Sequence, residues 1–383
     1  MSGIDELRDK VMRALATVRD PEIRRPITEL DMVQGVDIHP AGKVSVDVAL
    51  TVAGCPLQDT LARDVEAAVA AIDGVREVDV RLGVMTDAQR AAMMDRLRGR
   101  QDGPQNVFQD PSSRTRVLVV ASGKGGVGKS SLTANLAVAL AQQGKRVGLL
   151  DADIYGHSIP AMMGVADEHP TMVDDVLMPV MAHGVATMSI GLMKESRDQV
   201  IAWRGPMLDR ALSQMLTDVY WGDLDFLLVD LPPGTGDMPM SVGRQLPTGH
   251  VLVVTTPNQA AYEVAERAGT LAGRMDQPVV GVVENMSWLE DVCPDCGRTH
   301  RTEIFGSGGG AAVADALSAR SGEPVPLVAQ IPLDVAVRQG GDDGLPVVLA
   351  APDSPAAQAI KALATRLQDA QLQRPAGRRR LLS

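Results

Sequence analysis

Aromatic side chains are almost missing from this sequence: three Phe, three Trp and three Tyr make up 2% of its 383 residues. The core has to be built from Val, Leu, Ala, Ile and Met, and stacking platforms for single-stranded nucleic acid are scarce. Cysteine is also short. Three of them, an odd number in a long chain, do not make a disulfide framework. Positive charge is outweighed, with 37 Lys and Arg against 48 Asp and Glu. The net charge of −11 opposes general binding to DNA or to an anionic membrane. No apolar run reaches the length of about eighteen residues that a transmembrane helix needs. The start, Met1-Ser2-Gly3-Ile4-Asp5-Glu6, lacks a basic segment followed by an apolar one, so no signal peptide is read. The expectation is a soluble cytoplasmic protein that binds neither nucleic acid nor membrane.

What is present is globular: 45% hydrophobic and 22% charged residues, in a chain long enough for two or three domains. Leu7, Val11, Met12, Leu15 and Val18 recur at helical spacing and predict a helix from Asp5 to Val18, broken by Asp20-Pro21-Glu22 and Pro26. Val44, Val46, Val48, Leu50 and Val52 alternate as one face of a half-buried strand. After the turn Gly54-Cys55-Pro56 come a helix through Leu57, Leu61, Val65 and Val69, a strand from Val75 to Leu82, and a helix capped by Thr86 that runs to about Leu97. Residues 1–98 therefore read as a small α/β domain. Residues 99–115, rich in Gly, Pro, Gln, Asp and Ser, read as a linker.

From Arg116 onward, short apolar runs alternate with helical segments. The runs are Val117–Ala121, Val147–Leu150, Phe226–Val229, Val251–Thr255, Val279–Val283 and Leu327–Ile331. This predicts an α/β fold, a mostly parallel, doubly wound sheet over residues 116–372 that follows the small α/β domain. The carboxyl ends of such strands line the ligand crevice. The last helix is expected from Ser354 to about Leu372. Residues 373–383, with four arginines, form a basic tail, read as solvated rather than as an arm for nucleic acid or membrane.

The first run leads into Gly123-Lys124-Gly125-Gly126-Val127-Gly128-Lys129-Ser130-Ser131, and then into an amphipathic segment with Leu132, Leu136, Ala137 and Leu140. Glycines let backbone N–H groups converge on phosphate oxygens, and the helix N-terminus adds partial positive charge. Lys129 supplies a charge for the β/γ-phosphates and the Ser130 hydroxyl can ligate Mg²⁺. Alone, Lys124 reads as a solvated loop charge. As a second lysine just after the first glycine, it makes the loop resemble the deviant Walker-A ATPases of the MinD/ParA type. That resemblance implies that Lys124 reaches the nucleotide of a partner subunit. The resulting P-loop NTPase sheet should carry acidic residues at its other strand ends.

Asp151-Ala152-Asp153 follows the second run, where a carboxylate can order an attacking water and reach the Mg²⁺ shell. The resemblance makes Asp153 the switch I residue tied to hydrolysis, while Asp151 by itself reads as a structural carboxylate bonding loop N–H groups. His157 reads as a loop residue. Asp230 closes the third run, where P-loop NTPases hold Mg²⁺, and Pro232-Pro233-Gly234-Thr235-Gly236 has the stiffness and freedom of a switch II loop. Asn285 ends the fifth run. The resemblance implies that it hydrogen-bonds adenine, the alternative being a turn-forming asparagine. There is no N-K-x-D guanine signature, which favours ATP.

Beyond it, Cys293-Pro294-Asp295-Cys296-Gly297 places two thiolates at a spacing that ligates one soft metal centre. Zinc within one chain needs help, with His300 a candidate, and a redox dithiol is a further option. Two subunits donating Cys293 and Cys296 across a two-fold axis supply four thiolates, which suits a [4Fe–4S] cluster or zinc. The deviant loop, D-L-P-P-G-T-G-D at 230–237, V-E-N-M-S at 283–287 and C-P-x-C, in that order, resemble the Mrp/ApbC family of iron–sulfur cluster carrier ATPases. Asp20-Pro21-Glu22 and Thr51-Val52-Ala53-Gly54-Cys55-Pro56 resemble the small domain of iron–sulfur assembly factors. Cys55 reads either as a reactive thiolate or as a small apolar side chain packed under the turn.

The resemblance implies a homodimer that binds ATP and Mg²⁺, bridges a [4Fe–4S] cluster between subunits, hydrolyses ATP slowly, and passes clusters from donors to apo iron–sulfur proteins. Two rivals from other classes are a MinD/ParA-like positioning ATPase and a zinc-bridged nucleotide-binding scaffold dimer.

Overall fold

The computed structural model of the chain describes residues 3–370, apart from residues 22, 40, 52–56, 99–105, 111, 155, 157, 175, 194–204, 235, 259–260 and 294. Two compact units form: residues up to Gln105 together with Thr171–Met178, and Asn106–Pro170 together with Pro179 onward.

The first unit contains α1 (Gly3–Leu15), β1 (Val33–Ile38), β2 (Lys43–Leu50), α2 (Gln58–Ala70), β3 (Glu77–Val84) and α3 (Asp87–Arg98). β2 is central, antiparallel to β1 and parallel to β3. Its alternating Val44, Val46, Val48 and Leu50 are buried. α2 lays Leu61, Val65 and Val69, one helical repeat apart, into the same core. Thr86 closes a reciprocal cap: its hydroxyl accepts the Gln89 N–H at 3.3 Å, and the Gln89 side chain accepts the Thr86 N–H at 2.9 Å. α1 stops at Leu15, short of the expected Val18, which is buried in the following turn. β1 is absent from the sequence reading because Gly35 and Asp37 interrupt its apolar pattern. Of the assembly-factor motifs, Asp20 is buried and accepts the Ile23 N–H at 2.7 Å. Glu22, Cys55 and the rest of the Gly54 turn lie outside the described residues.

The second unit starts with β4 (Arg116–Ser122), α4 (Lys129–Gln142), β5 (Val147–Asp151) and the short α5 (Ile159–Met162). The hairpin β6 (Thr171–Val173) and β7 (Val176–Met178) groups with the first unit. Then come β8 (Val180–Ala182), β9 (Val185–Ser189), α6 (Gly205–Thr217), β10 (Phe226–Asp230), α7 (Asp237–Gln245), β11 (His250–Thr255) and α8 (Ala261–Met275). The chain continues through β12 (Val279–Val292), β13 (Thr299–Thr302), α9 (Gly309–Ser321), β14 (Leu327–Leu333), α10 (Val335–Asp342), α11 (Val347–Ala350) and α12 (Pro355–Asp369).

One nine-stranded sheet runs β13-β12-β11-β4-β10-β5-β9-β8, with β14 also paired to β12. β8 and β13 are antiparallel and every other pairing is parallel. All six apolar runs are strands of this mostly parallel sheet. Val117 to Ser122 are buried without a break, so both faces of β4 are covered. α4, rich in small side chains, is buried from Leu132 to Leu140 between the sheet and α12. Each Leu and Val enclosed this way contributes about 1.5–3 kcal/mol. Ser354 caps α12 by accepting the Ala357 N–H, with Pro355 in the first turn.

The expected linker differs in its second half. Phe108 is fully buried edge-on against Trp221, Asn106 donates to the Gln245 carbonyl at 2.7 Å, and Thr248 donates to the Phe108 carbonyl. One aromatic anchor in a polar stretch is enough to fix it. The basic tail lies outside the described residues, and no described helix is long and apolar enough to cross a membrane.

Candidate nucleotide site and cysteine hairpin

β4 stands between β10 and β11, and the chain leaves it to one side for β5 and later crosses to the other for β11. A crevice opens at such a switch point, outside the carboxyl ends of the strands. The 123–128 loop sits there and opens α4. Gly125 and Gly126 are exposed, Lys124 and Ser130 half-buried, and Gly123, Val127 and Lys129 buried. Gly128 has φ of +77°, and a Cβ on it would stand 2.3 Å from Asn285 Nδ2. Only glycine fits both conditions. Asn285 in turn donates from Nδ2 to the Val127 carbonyl at 2.9 Å. It therefore buttresses the loop, and it does not end its strand as expected: β12 continues past it to Val292. The register against β14 shifts between Asn285 and Leu289, and Met286 takes φ of +58°.

Beside the loop is a cavity of about 380 Å³ whose lining includes Gly128, Ser131, Asn285, Met286, Pro332 and Leu333. Its walls are mainly apolar, and its size suits a purine nucleoside. Pro332 and Leu333 close β14, and Asp334 then caps α10 by accepting the Ala336 N–H at 2.8 Å. The sequence reading found β14 but gave these residues no role. The one local signal is an Asp after an apolar strand and before a helix.

At the cation end, Lys129 Nζ lies 2.7 Å from Asp230 Oδ2, with both side chains buried. Ser130 Oγ donates to the same oxygen at 2.5 Å, and Thr133 Oγ1 donates to Asp230 Oδ1 at 2.9 Å. A hydroxyl and a carboxylate in contact are hard oxygen donors that fit Mg²⁺. Asp151 is the register partner of Asp230 on β5. Burial, and then the charge of Asp230, push its carboxyl up to about 8. Ser189 Oγ and the Asp153 N–H donate to it at 3.0 and 3.1 Å. Asp153 is half-buried, and its carboxylate accepts the Gly156 N–H at 3.0 Å. Of the switch II stretch, Gly234 donates its N–H to the Ser122 carbonyl at 3.4 Å, while Thr235 and also His157 lie outside the described residues.

The cysteine pair forms the tip of the β12–β13 hairpin. Leu289, Glu290, Asp291 and Val292 pair with Thr302, Arg301, His300 and Thr299. The tip closes through Cys293 N–H to the Arg298 carbonyl and Gly297 N–H to the Cys293 carbonyl, both 2.9 Å. Arg301 clamps the stem, stacking 4.5 Å from the Trp288 ring centre and bonding Glu290 at 2.9 Å. Cys293 is half-buried and Cys296 exposed, both as free thiols. The backbone N–H groups of Cys296 and Asp295, and the Cys296 thiol, hold the Cys293 thiol below its ordinary range, with Asp291 opposing. Cys293, Cys296 and His300 bring ligating atoms within 4.8 Å of one another. Val292, Ile304 and Phe305, at the tip and just after the stem, are exposed.

A P-loop buttressed by Asn285 of β12, and a thiolate hairpin at the end of that same strand, match a family whose model, described as NUBPL iron-transfer P-loop NTPase, aligns with residues 113–368. The chain belongs to this family. A second model, described as iron–sulfur cluster assembly protein, matches residues 8–80. The iron–sulfur cluster carrier protein of Mycobacterium leprae is 50% identical over 96% of this chain and 94% of its own length. That of Deinococcus radiodurans is 42% identical over 94% and 95%. Among solved structures, a nucleotide-binding protein in complex with ADP from Archaeoglobus fulgidus is 37% identical. It covers 60% of this chain and 86% of its own, with a TM-score of 0.50. The family is one of P-loop NTPases, for which nucleotide hydrolysis is the general activity.

Proposed function

We propose that the chain is an ATP-dependent carrier that receives [4Fe–4S] clusters and passes them to apo iron–sulfur proteins, working as a homodimer. The observation that carries this reading is β12 itself, one strand that runs from the nucleotide pocket at Asn285 to the cysteine tip at 293–298. The names of the relatives support the cargo. Two thiolates per chain are half of a four-thiolate site, and the exposed Val292, Ile304 and Phe305 offer apolar surface for a second copy to cover. Residues 1–98 are the assembly-type domain of this carrier and 116–372 its ATPase, and of the expected linker 99–115 the part from Asn106 onward belongs with the ATPase.

In this reading the loop N–H groups of Gly125, Gly126 and Gly128 bind phosphate. Lys129 exchanges Asp230 for the β/γ-phosphates, which frees Asp230 and Ser130 to hold Mg²⁺. When bound, Mg²⁺ neutralises charge that develops between the β- and γ-phosphates. Asp153 orients the attacking water, and Lys124 acts on the nucleotide of the other subunit. The cavity beside Asn285 takes the adenine.

Anaerobic reconstitution of the full chain and of a Cys293→Ala/Cys296→Ala variant tests the cargo. The wild type should retain iron and sulfide at four each per two chains, the count for one bridging [4Fe–4S] cluster. Equal retention by the variant overturns the reading.

A further inference from the structure

Glu284, 1% exposed, is a buried carboxylate one residue before Asn285. It is the register partner of Gln330 on β14, and its Oε1 accepts a hydrogen bond from Gln330 Nε2 at 2.7 Å. Its Oε2 accepts the Gly310 N–H at 2.6 Å, in the first turn of α9. We propose that Glu284 is the positioning residue of the base cavity, setting the distance between the two strand-borne walls. The proposal rests on the reading that this cavity takes the adenine.

The walls are the next residues along the same two strands. Asn285 and Met286 come from β12, and Pro332 and Leu333 from β14. Beyond Asn285 the pairing shifts register and resumes at Leu289 and Leu333. The Glu284–Gln330 bond therefore ties the strands one step before their regular pairing breaks off. The buried Ser287 hydroxyl donates to the Glu284 carbonyl at 2.9 Å and closes the bend at Met286. Behind, α9 packs so closely that a Cβ on Gly310 would stand 2.6 Å from Glu284 Cβ. A carboxylate that swung away from β14 would strand the Gly310 N–H and leave the positive end of the helix. Hydrogen bonds to a charged, buried acceptor are strong, so this tie is stiff. A flat base between the walls would feel a displacement of about 1 Å in either of them. Phosphate on the loop depends instead on β4 and α4.

Isothermal titration calorimetry of the full-length chain with Mg²⁺ compares a non-hydrolysable ATP analogue with inorganic tripolyphosphate. The wild type should bind the analogue at least about tenfold more tightly, the difference being the share of the base cavity. Gln330→Glu sets two carboxylates against each other. It should weaken analogue binding about tenfold and leave tripolyphosphate within about twofold. In the exchanged pair, Glu284→Gln/Gln330→Glu, the bond is rebuilt with donor and acceptor reversed. Analogue affinity should return to within about threefold of wild type. Gln330→Ala, at an exposed position, should cost about threefold. Circular dichroism checks each fold, and Gln330→Ala alone decides where Gln330→Glu is not folded. Unchanged analogue affinity overturns the proposal, as does an equal loss for both ligands or an exchanged pair that recovers nothing. A wild type that binds tripolyphosphate as tightly as the analogue overturns the adenine reading itself, and the proposal falls with it.

Discussion

The buried Lys129 ammonium and Asp230 carboxylate are paired at 2.7 Å. The group expected to hold phosphate and the group expected to hold Mg²⁺ therefore neutralise each other. An unpaired buried charge is costly, so neither side chain is replaceable alone. Asp230→Ala and Lys129→Ala should each lower unfolding free energy by about 3 kcal/mol. The double variant should lose clearly less than the sum, because the second change removes the stranded charge. Urea unfolding of the four proteins measures the coupling. Additive losses would show that the ion pair contributes nothing of its own. Lys129→Ala should also lose ATP turnover, and full activity would remove the enzymatic assignment.

Asp151 sets a pH dependence. Its folded-state carboxyl is raised to about 8, so the native protein keeps a proton that the unfolded chain releases near the ordinary carboxylate value. This contribution to stability is complete below pH about 4 and is lost as pH rises through about 8. Asp151→Asn keeps the neutral form at every pH. Between pH 5 and 8 its melting temperature should fall less than that of the wild type, by calorimetry without nucleotide or Mg²⁺. Parallel curves would place the proton elsewhere.

Gly128→Ala puts a methyl where Asn285 Nδ2 lies and where φ is +77°. The left-handed backbone costs about 1–2 kcal/mol, and the clash pushes Asn285 away from the Val127 carbonyl. ATP affinity should drop at least about tenfold, the equivalent of 1.4 kcal/mol. Titration with a fluorescent ATP analogue gives the answer, and unchanged affinity would detach the Asn285 buttress from nucleotide binding.

Lys124→Ala separates binding from turnover. Lys124 is half-buried in the loop. If it serves the other subunit, the variant should bind ATP within about twofold of wild type while turnover falls by about a hundredfold or more. Mixing it with a Lys129→Ala protein should restore part of the activity. No recovery on mixing would confine Lys124 to its own chain.

The P-loop was legible in the sequence because its residues are contiguous and sit between a buried strand and a helix. Asp151 and Asp230 were legible because strand ends in a parallel sheet gather at one edge. The cavity wall was not. Pro332 and Leu333 reach it from the opposite end of the chain, by the pairing of β14 with β12. The extent of β12 was hidden because its second half, Trp288-Leu289-Glu290-Asp291, lacks the apolar run of its first half and pairs with the wholly exposed β13. β8 and the β6–β7 hairpin hold three residues per strand, too few for a period to show. Asn285 was noticed for its chemistry, but its bond to the Val127 carbonyl is a fact of tertiary packing.

The second half of β12 also constrains how such a chain can vary. Side chains on a strand alternate faces, so inserting or deleting one residue between Leu289 and Val292 would break the pairing of the stem with β13 and turn the residues beyond the change to the other face. The C-x-x-C spacing of Cys293 and Cys296 fixes the count of the tip in its turn, whereas the stretch after Thr302 carries neither constraint. Length changes tolerated over generations should collect after Thr302, with the stem and the tip keeping a fixed count, like the spacer of a caliper.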